Sequence, residues 1–179
     1  MWYVKIMLLL VTLLPENTRW QRINTEEQIS FLLPNTPQKL KKLVNGIPST
    51  IYQTKDDACV AGVVCSDFSS QKINISGEYA QALYEELKKG SLDLETAILK
   101  DEKTIPYDNM LIKEIEYSIL KENIEMTYFK RFIFRGNYIY QISIGGRTRH
   151  RPIIQEEREI FFNSITFPSP GKPEKQQSN

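Results

Sequence analysis

Arg131-Phe-Ile-Phe-Arg-Gly-Asn-Tyr-Ile-Tyr-Gln-Ile-Ser-Ile144 is the stretch that decides the fold. Gly136-Asn137 is a favoured two-residue hairpin turn with glycine first, flanked by β-rich runs over Met126 to Arg135 and Tyr138 to Ile144. In that register Phe134 faces Ile139 on one side of the ribbon and Ile133 faces Tyr140 on the other. Both faces are apolar, whereas a sheet with one wet face would alternate apolar with polar residues. The ribbon predicts an antiparallel sheet with helices packed on both faces.

The flanking segments supply the rest. Leu111 to Leu120 places Ile115, Tyr117 and Ile119 on one face and Glu114, Glu116 and Ser118 on the other, a further strand. Upstream, Ile47 to Lys55 and Ala58 to Phe68 are β-rich runs separated by an Asp56-Asp57 turn. Trp20 to Leu33, broken at Asn24-Thr25-Glu26-Glu27 and closed by Pro34, predicts a bent strand or hairpin opening the sheet. Ser76 is suited to cap a helix carrying Tyr79, Ala80, Leu83, Tyr84 and Leu87, which Gly90 ends. Ser91 then predicts a second helical turn through Leu94, Ile98 and Leu99, closed by Pro106. The last helix starts at Pro152 and is expected to bury Ile153, Ile160 and Phe161. Strands, helices, three strands and a helix make an α+β chain, not the alternation of a doubly wound nucleotide-binding fold.

The 179 residues suit one domain, 20–167, with short ends. Lys5 followed by the apolar run Ile6–Leu14 has the length of a signal-peptide core. At about 13 Å as helix it is too short to span a membrane core of roughly 30 Å, so no stable transmembrane anchor is expected. Residues 1–19 therefore read as signal peptide and leader, although no small-x-small cleavage site follows. The expected location is periplasmic or secreted, and the alternative is a buried first element of a cytoplasmic protein. Residues 168–179 have no aliphatic or aromatic side chain and read as a disordered tail.

Arg131 through Ile144, the early Phe31-Leu-Leu-Pro34 after Trp20, the central helix and the ending Glu159-Ile-Phe-Phe-Asn-Ser-Ile-Thr-Phe167 together resemble a known superfamily. It includes the extrinsic photosystem II protein PsbP and bacterial DcrB-like exported proteins. The resemblance spans Trp20 to Phe167 and implies an α/β/α sandwich around an antiparallel sheet, often exported and without an established catalytic site. It carries over no catalytic or ligand residue, and the plant role at photosystem II is not implied.

Chemistry is sparse. One histidine, His150, and two cysteines, Cys59 and Cys65, exclude two-histidine metal motifs and four-thiolate zinc sites. Cysteines six apart on one strand sit about 20 Å from each other, too far for a disulfide, and read as small buried hydrophobes. No Gly-x-Ser-x-Gly elbow or phosphate-binding loop is present. No catalytic residue, cofactor or metal is assigned. A net charge of +1 disfavours nucleic acid as partner. One segment stands out: Tyr128 to Arg151 holds six cations and no anion. Its sharpest part, Arg147, Arg149, His150 and Arg151, predicts a surface for an anionic partner, an unknown protein or an anionic surface. The alternative is that these charges pair with Glu114, Glu116 and the last helix. The overall expectation is an exported, non-enzymatic accessory protein. Its rival is an enzyme or small-ligand binder with a pocket between sheet and helices.

Export has a direct check. Mass spectrometry of the protein from its native host is expected to find an N-terminus between about residues 14 and 20. Intact Met1 in a cytosolic fraction is the contrary result.

Overall fold

The computed structural model describes residues 20–168 apart from 72, 108 and 109. The expected leader over 1–19, and all but the first residue of the expected tail, lie outside the described residues. In chain order the elements are β1 (Trp20–Asn24), β2 (Ser30–Pro34), β3 (Gln38–Val44), β4 (Ile47–Lys55) and β5 (Val60–Asp67). Then come α1 (Gly77–Ser91), β6 (Ile98–Thr104), β7 (Leu111–Lys121), β8 (Ile124–Arg135), β9 (Tyr138–Arg147) and α2 (Arg151–Asn163). The chain is α+β and mostly antiparallel: a seven-stranded sheet in the order β3-β4-β5-β9-β8-β7-β6, and a separate β1-β2 ribbon.

The β8–β9 hairpin sits inside the large sheet with the expected register, Phe134 opposite Ile139 and Ile133 opposite Tyr140. Its turn takes the left-handed conformation at Gly136, φ 59°, where a side chain would be strained. Alternation along β8 divides the core. Phe132 and Phe134 join Ile115 of β7, Ile139 of β9 and Ala80 and Tyr84 of α1 in one buried cluster. Phe129 and Ile133 join Tyr140, Ile142 and Ile144, strand β5, strand β2 and Ile154, Phe161 and Phe162 of α2 in the other.

Several expectations need correction. The β1–β2 hairpin forms a ribbon of its own instead of opening the main sheet. Its free edge is held by the chain after α2, through Arg22 to the Ser164 carbonyl at 2.6 Å, the Leu32 amide to Ser164 Oγ at 2.8 Å, and paired backbone bonds between Ser30 and Thr166. The second helical turn is absent, and Ile98 and Leu99 begin edge strand β6. Helix α1 runs through Gly90 to Ser91, whose hydroxyl bonds back to the Leu87 carbonyl at 2.8 Å instead of capping a new helix. Ser76 is the N-cap residue, but its side chain makes no capping bond. Helix α2 buries Ile154, Glu157, Phe161 and Phe162, while Ile153 and Ile160 are exposed. The doublets Ile153-Ile154 and Ile160-Phe161 fit two adjacent helix faces equally well, and the structure buries the face of Ile154 and Phe161.

Near its end, just before Arg147, strand β9 carries two glycines where neighbours leave no room. A Cβ on Gly146 would overlap the backbone oxygen of Ala58, and one on Gly145 would overlap the Tyr128 ring. Gly146→Ala is therefore expected to destabilise the fold by about 1–3 kcal/mol in denaturant titration. Gly90→Ala is the contrasting case. Gly90 lies in α1 with nothing within 4 Å of a new methyl, and the change is expected to stabilise by roughly 0.5–1 kcal/mol.

Candidate functional site

The cation-rich segment folds so that most of its charges meet partners. Arg131 donates from Nε to Glu114 Oε2 at 2.9 Å and from Nη1 to the Phe162 carbonyl at 2.9 Å, with its guanidinium over the Phe162 ring. Lys130 points to the other face, donating to Ser91 Oγ at 3.0 Å and lying over the Phe132 ring. Burial draws its ammonium down to about 8. Arg135 lies over the Phe167 ring and donates to Gln28 Oε1 at 3.3 Å.

The four predicted contact residues do not all line one opening. Arg151 donates through both Nε (3.1 Å) and Nη2 (2.7 Å) to Glu116 Oε1. It lines a separate opening with Lys100, Ser118, Glu125 and Thr127. Arg147, Arg149 and His150 do converge. They line a cleft of about 530 Å³ whose opposite wall is the Lys55–Val60 turn and whose base includes Tyr128, Gly145 and Gly146. Arg147 and Arg149 are exposed, and neither makes an ion pair with a carboxylate among the described residues. Arg149 Nε donates to His150 Nε2 at 3.0 Å, so the imidazole accepts through that nitrogen.

The facing wall is acidic, and sequence reasoning missed its content. Asp56 Oδ1 accepts the amides of Ala58 and Cys59, both at 2.8 Å, which confirms the expected turn and fixes its shape. Cys65 is a free, buried thiol in the apolar core, as expected. Cys59 is also free and buried, but it is more than a small hydrophobe. Its thiol donates to Glu157 Oε2 at 2.8 Å and lies 3.7 Å from Asp56 Oδ2. Burial, then the Glu157 and Asp56 carboxylates, push the Cys59 thiol well up. Among the described residues, Asp56, Cys59 and Glu157 bring donor atoms that could hold a metal within 4.8 Å of one another. In the sequence Glu156-Glu157-x-Glu159 reads as the solvated face of a helix, and Glu157 corrects that reading, being buried on α2.

Glu114 anchors the electrostatics of the other flank. It is 3% exposed and takes Arg131 on Oε2, with Arg158 and, at 3.1 Å, Lys103 on Oε1. Burial alone would raise its pKa, yet Arg131 and Arg158 together hold the carboxyl below the usual carboxylate range. Arg158 in turn lies over the Phe129 and Phe162 rings.

Among the described residues no helix is long and apolar enough to cross a membrane. Two solved structures share this architecture. Cyanobacterial PsbP (CyanoP) from Synechocystis sp. PCC 6803 superposes with a TM-score of 0.59 at 12% identity, covering 84% of this chain and 94% of that one. PA94 from Pseudomonas aeruginosa, a protein of unknown function, superposes with a TM-score of 0.51 at 15% identity, covering 86% and 99%. No family model matches the sequence, and no curated protein matches it. The likeness to PsbP is one of fold.

The ion cluster around Glu114 makes a pH prediction. Glu114→Gln leaves two buried guanidinium groups without their anion and is expected to cost about 3–5 kcal/mol at neutral pH. Because the folded pKa is depressed, the carboxylate's contribution is complete above the unfolded value and is lost as pH falls through the folded one. The stability gap between wild type and variant should be constant near neutrality and close on acidification, as read by denaturant titration across pH.

Proposed function

We propose that this chain is an exported accessory protein with a PsbP-like α/β/α layering, one helix to each face of the sheet, that engages an anionic partner through Arg147, Arg149 and His150. One observation carries the reading. Of the cations between Tyr128 and Arg151, Lys130, Arg131, Arg135 and Arg151 are engaged by neighbouring groups, while Arg147 and Arg149 stand exposed in one cleft, in ion-pair contact with no carboxylate among the described residues. Like charges held side by side repel, and an anionic partner offsets that repulsion. Arg151, spent on Glu116, falls outside the contact set. The rival, a ligand pocket between sheet and helices, has less support. The large side chains there are fully buried, Tyr84 and Phe132 in one cluster and Tyr140 and Phe161 in the other, and the cleft lies at the rim of the sheet.

The test is retention on immobilised poly-glutamate across a salt gradient. Arg147→Ser/Arg149→Ser is expected to elute at lower salt than wild type. Each exposed substitution should change stability by within about 0.5 kcal/mol. Retention should fall with ionic strength, since exposed attraction is screened within roughly 8 Å in physiological salt. Unchanged retention of the double variant, or a large loss of stability, overturns the reading.

A further inference from the structure

The turn after β4 and the buried side of α2 bring a thiol and two carboxylates to one point. The donor atoms of Asp56, Cys59 and Glu157 all lie within 4.8 Å of one another. Cys59 and Glu157 are 3% and 4% exposed, so two of the three are withdrawn from water, while Asp56 and Cys59 also line the Arg147–Arg149 cleft. The geometry is imposed by the fold. The Ala58 and Cys59 amides hold Asp56 Oδ1, which turns Oδ2 toward the thiol. Glu157 is fixed on α2 between Ile154 and Phe161, both fully buried.

We propose that Asp56, Cys59 and Glu157 form a binding site for a divalent transition-metal ion of the zinc type, through Sγ and one oxygen of each carboxylate. Zinc bonds of about 2.3 Å to sulfur and 2.0–2.2 Å to oxygen put tetrahedral ligands roughly 3.3–3.6 Å apart. The observed sulfur–oxygen separations of 2.8 and 3.7 Å bracket that range, so small side-chain shifts complete the site. A dication at this point would meet one thiol and two carboxylates at close range, with Cys59 and Glu157 buried and Asp56 half-buried. On binding, the Cys59 S–H bond breaks, a metal–sulfur bond forms, and the proton leaves to solvent. The sulfur donor selects zinc or cobalt over magnesium and calcium. Three protein ligands leave a fourth position, the arrangement in which zinc retains a water or an exchangeable ligand. This site is independent of the anionic-partner reading, because none of its donors is a cation of the cleft.

The experiment is titration of the full chain with cobalt(II), followed by displacement with zinc. One equivalent of cobalt is expected to produce a thiolate-to-metal charge-transfer band that zinc abolishes and magnesium does not. Cys59→Ser should lose the band, and zinc affinity from competition with a chromophoric chelator should drop at least tenfold. Asp56→Asn retains the oxygen that accepts the Ala58 and Cys59 amides and so keeps the turn; it too should weaken zinc binding, with an unaltered circular dichroism spectrum. Arg147→Ser/Arg149→Ser should bind metal like wild type, which separates this site from the polyanion surface. No charge-transfer band at equimolar cobalt in the folded wild type, or unchanged zinc affinity in both Cys59→Ser and Asp56→Asn, overturns the proposal.

Discussion

A strand pair that is apolar on both faces cannot rest in water on either, and β8 and β9 are such a pair. Phe132, Phe134 and Ile139 demand cover on one side; Phe129, Ile133, Tyr140, Ile142 and Ile144 demand it on the other. Placing the pair among the inner strands and giving each face its own buried cluster meets both demands. The rest of the chain is arranged around this. Buried Tyr84 meets Phe132 edge-on at 5.4 Å, and the β1–β2 ribbon sends Phe31 against Phe161 and Tyr52. Tyr52 and Tyr140 reach from the sheet to the side chain and carbonyl of Glu27, so the ribbon's loop is fastened by hydrogen bonds as well as by burial.

The same two-sidedness governs the charges. A cation placed on a sandwiched strand must find an anion, a carbonyl or an aromatic ring, because water is excluded there. Arg131 finds Glu114 directly across on β7, while Lys130, one residue away, points to the opposite face and finds a hydroxyl and a ring. At the end of β9 the requirement lapses, and Arg147 and, in the following 3-10 turn, Arg149 are exposed. A segment uniform in sequence thus divides into an internal part and an external part at the point where the overlying layer ends.

How far the sequence reveals this depends on whether each feature leaves a local signature. The Gly136-Asn137 turn does, and with it the register and the two-faced core. Strands β4 and β5 and the Asp56 turn do as well. Edge strand β3 does not: every residue from Gln38 to Val44 is exposed, so no alternation marks it. Strand β6 is exposed throughout and bulged between Leu99 and Asp101, and its Ile98-Leu99 pair passes for a helix face. The phase of α2 is hidden in paired apolar residues. Cys59 and Glu157 are 98 positions apart, and only folding brings them together. Of Arg147, Arg149, His150 and Arg151, the first three line one cleft, while the 3-10 turn Thr148–His150 sends Arg151 toward Glu116, a parting that spacing along the chain does not reveal.

Among the described residues the sheet does not close, and its open borders carry a consequence for how the molecule behaves in company. Each outermost strand leaves a row of backbone donors and acceptors on which a second chain could build. Lys39, Lys41 and Lys42 stud one border; Lys100 and Lys103, with the break in register, interrupt the other. Two copies approaching β3 to β3 would set ammonium against ammonium, which opposes that pairing. Neutralising Lys39, Lys41 and Lys42 by acetylation would remove that barrier without touching a buried ion pair, and the cost would appear as aggregation at high concentration, not as unfolding.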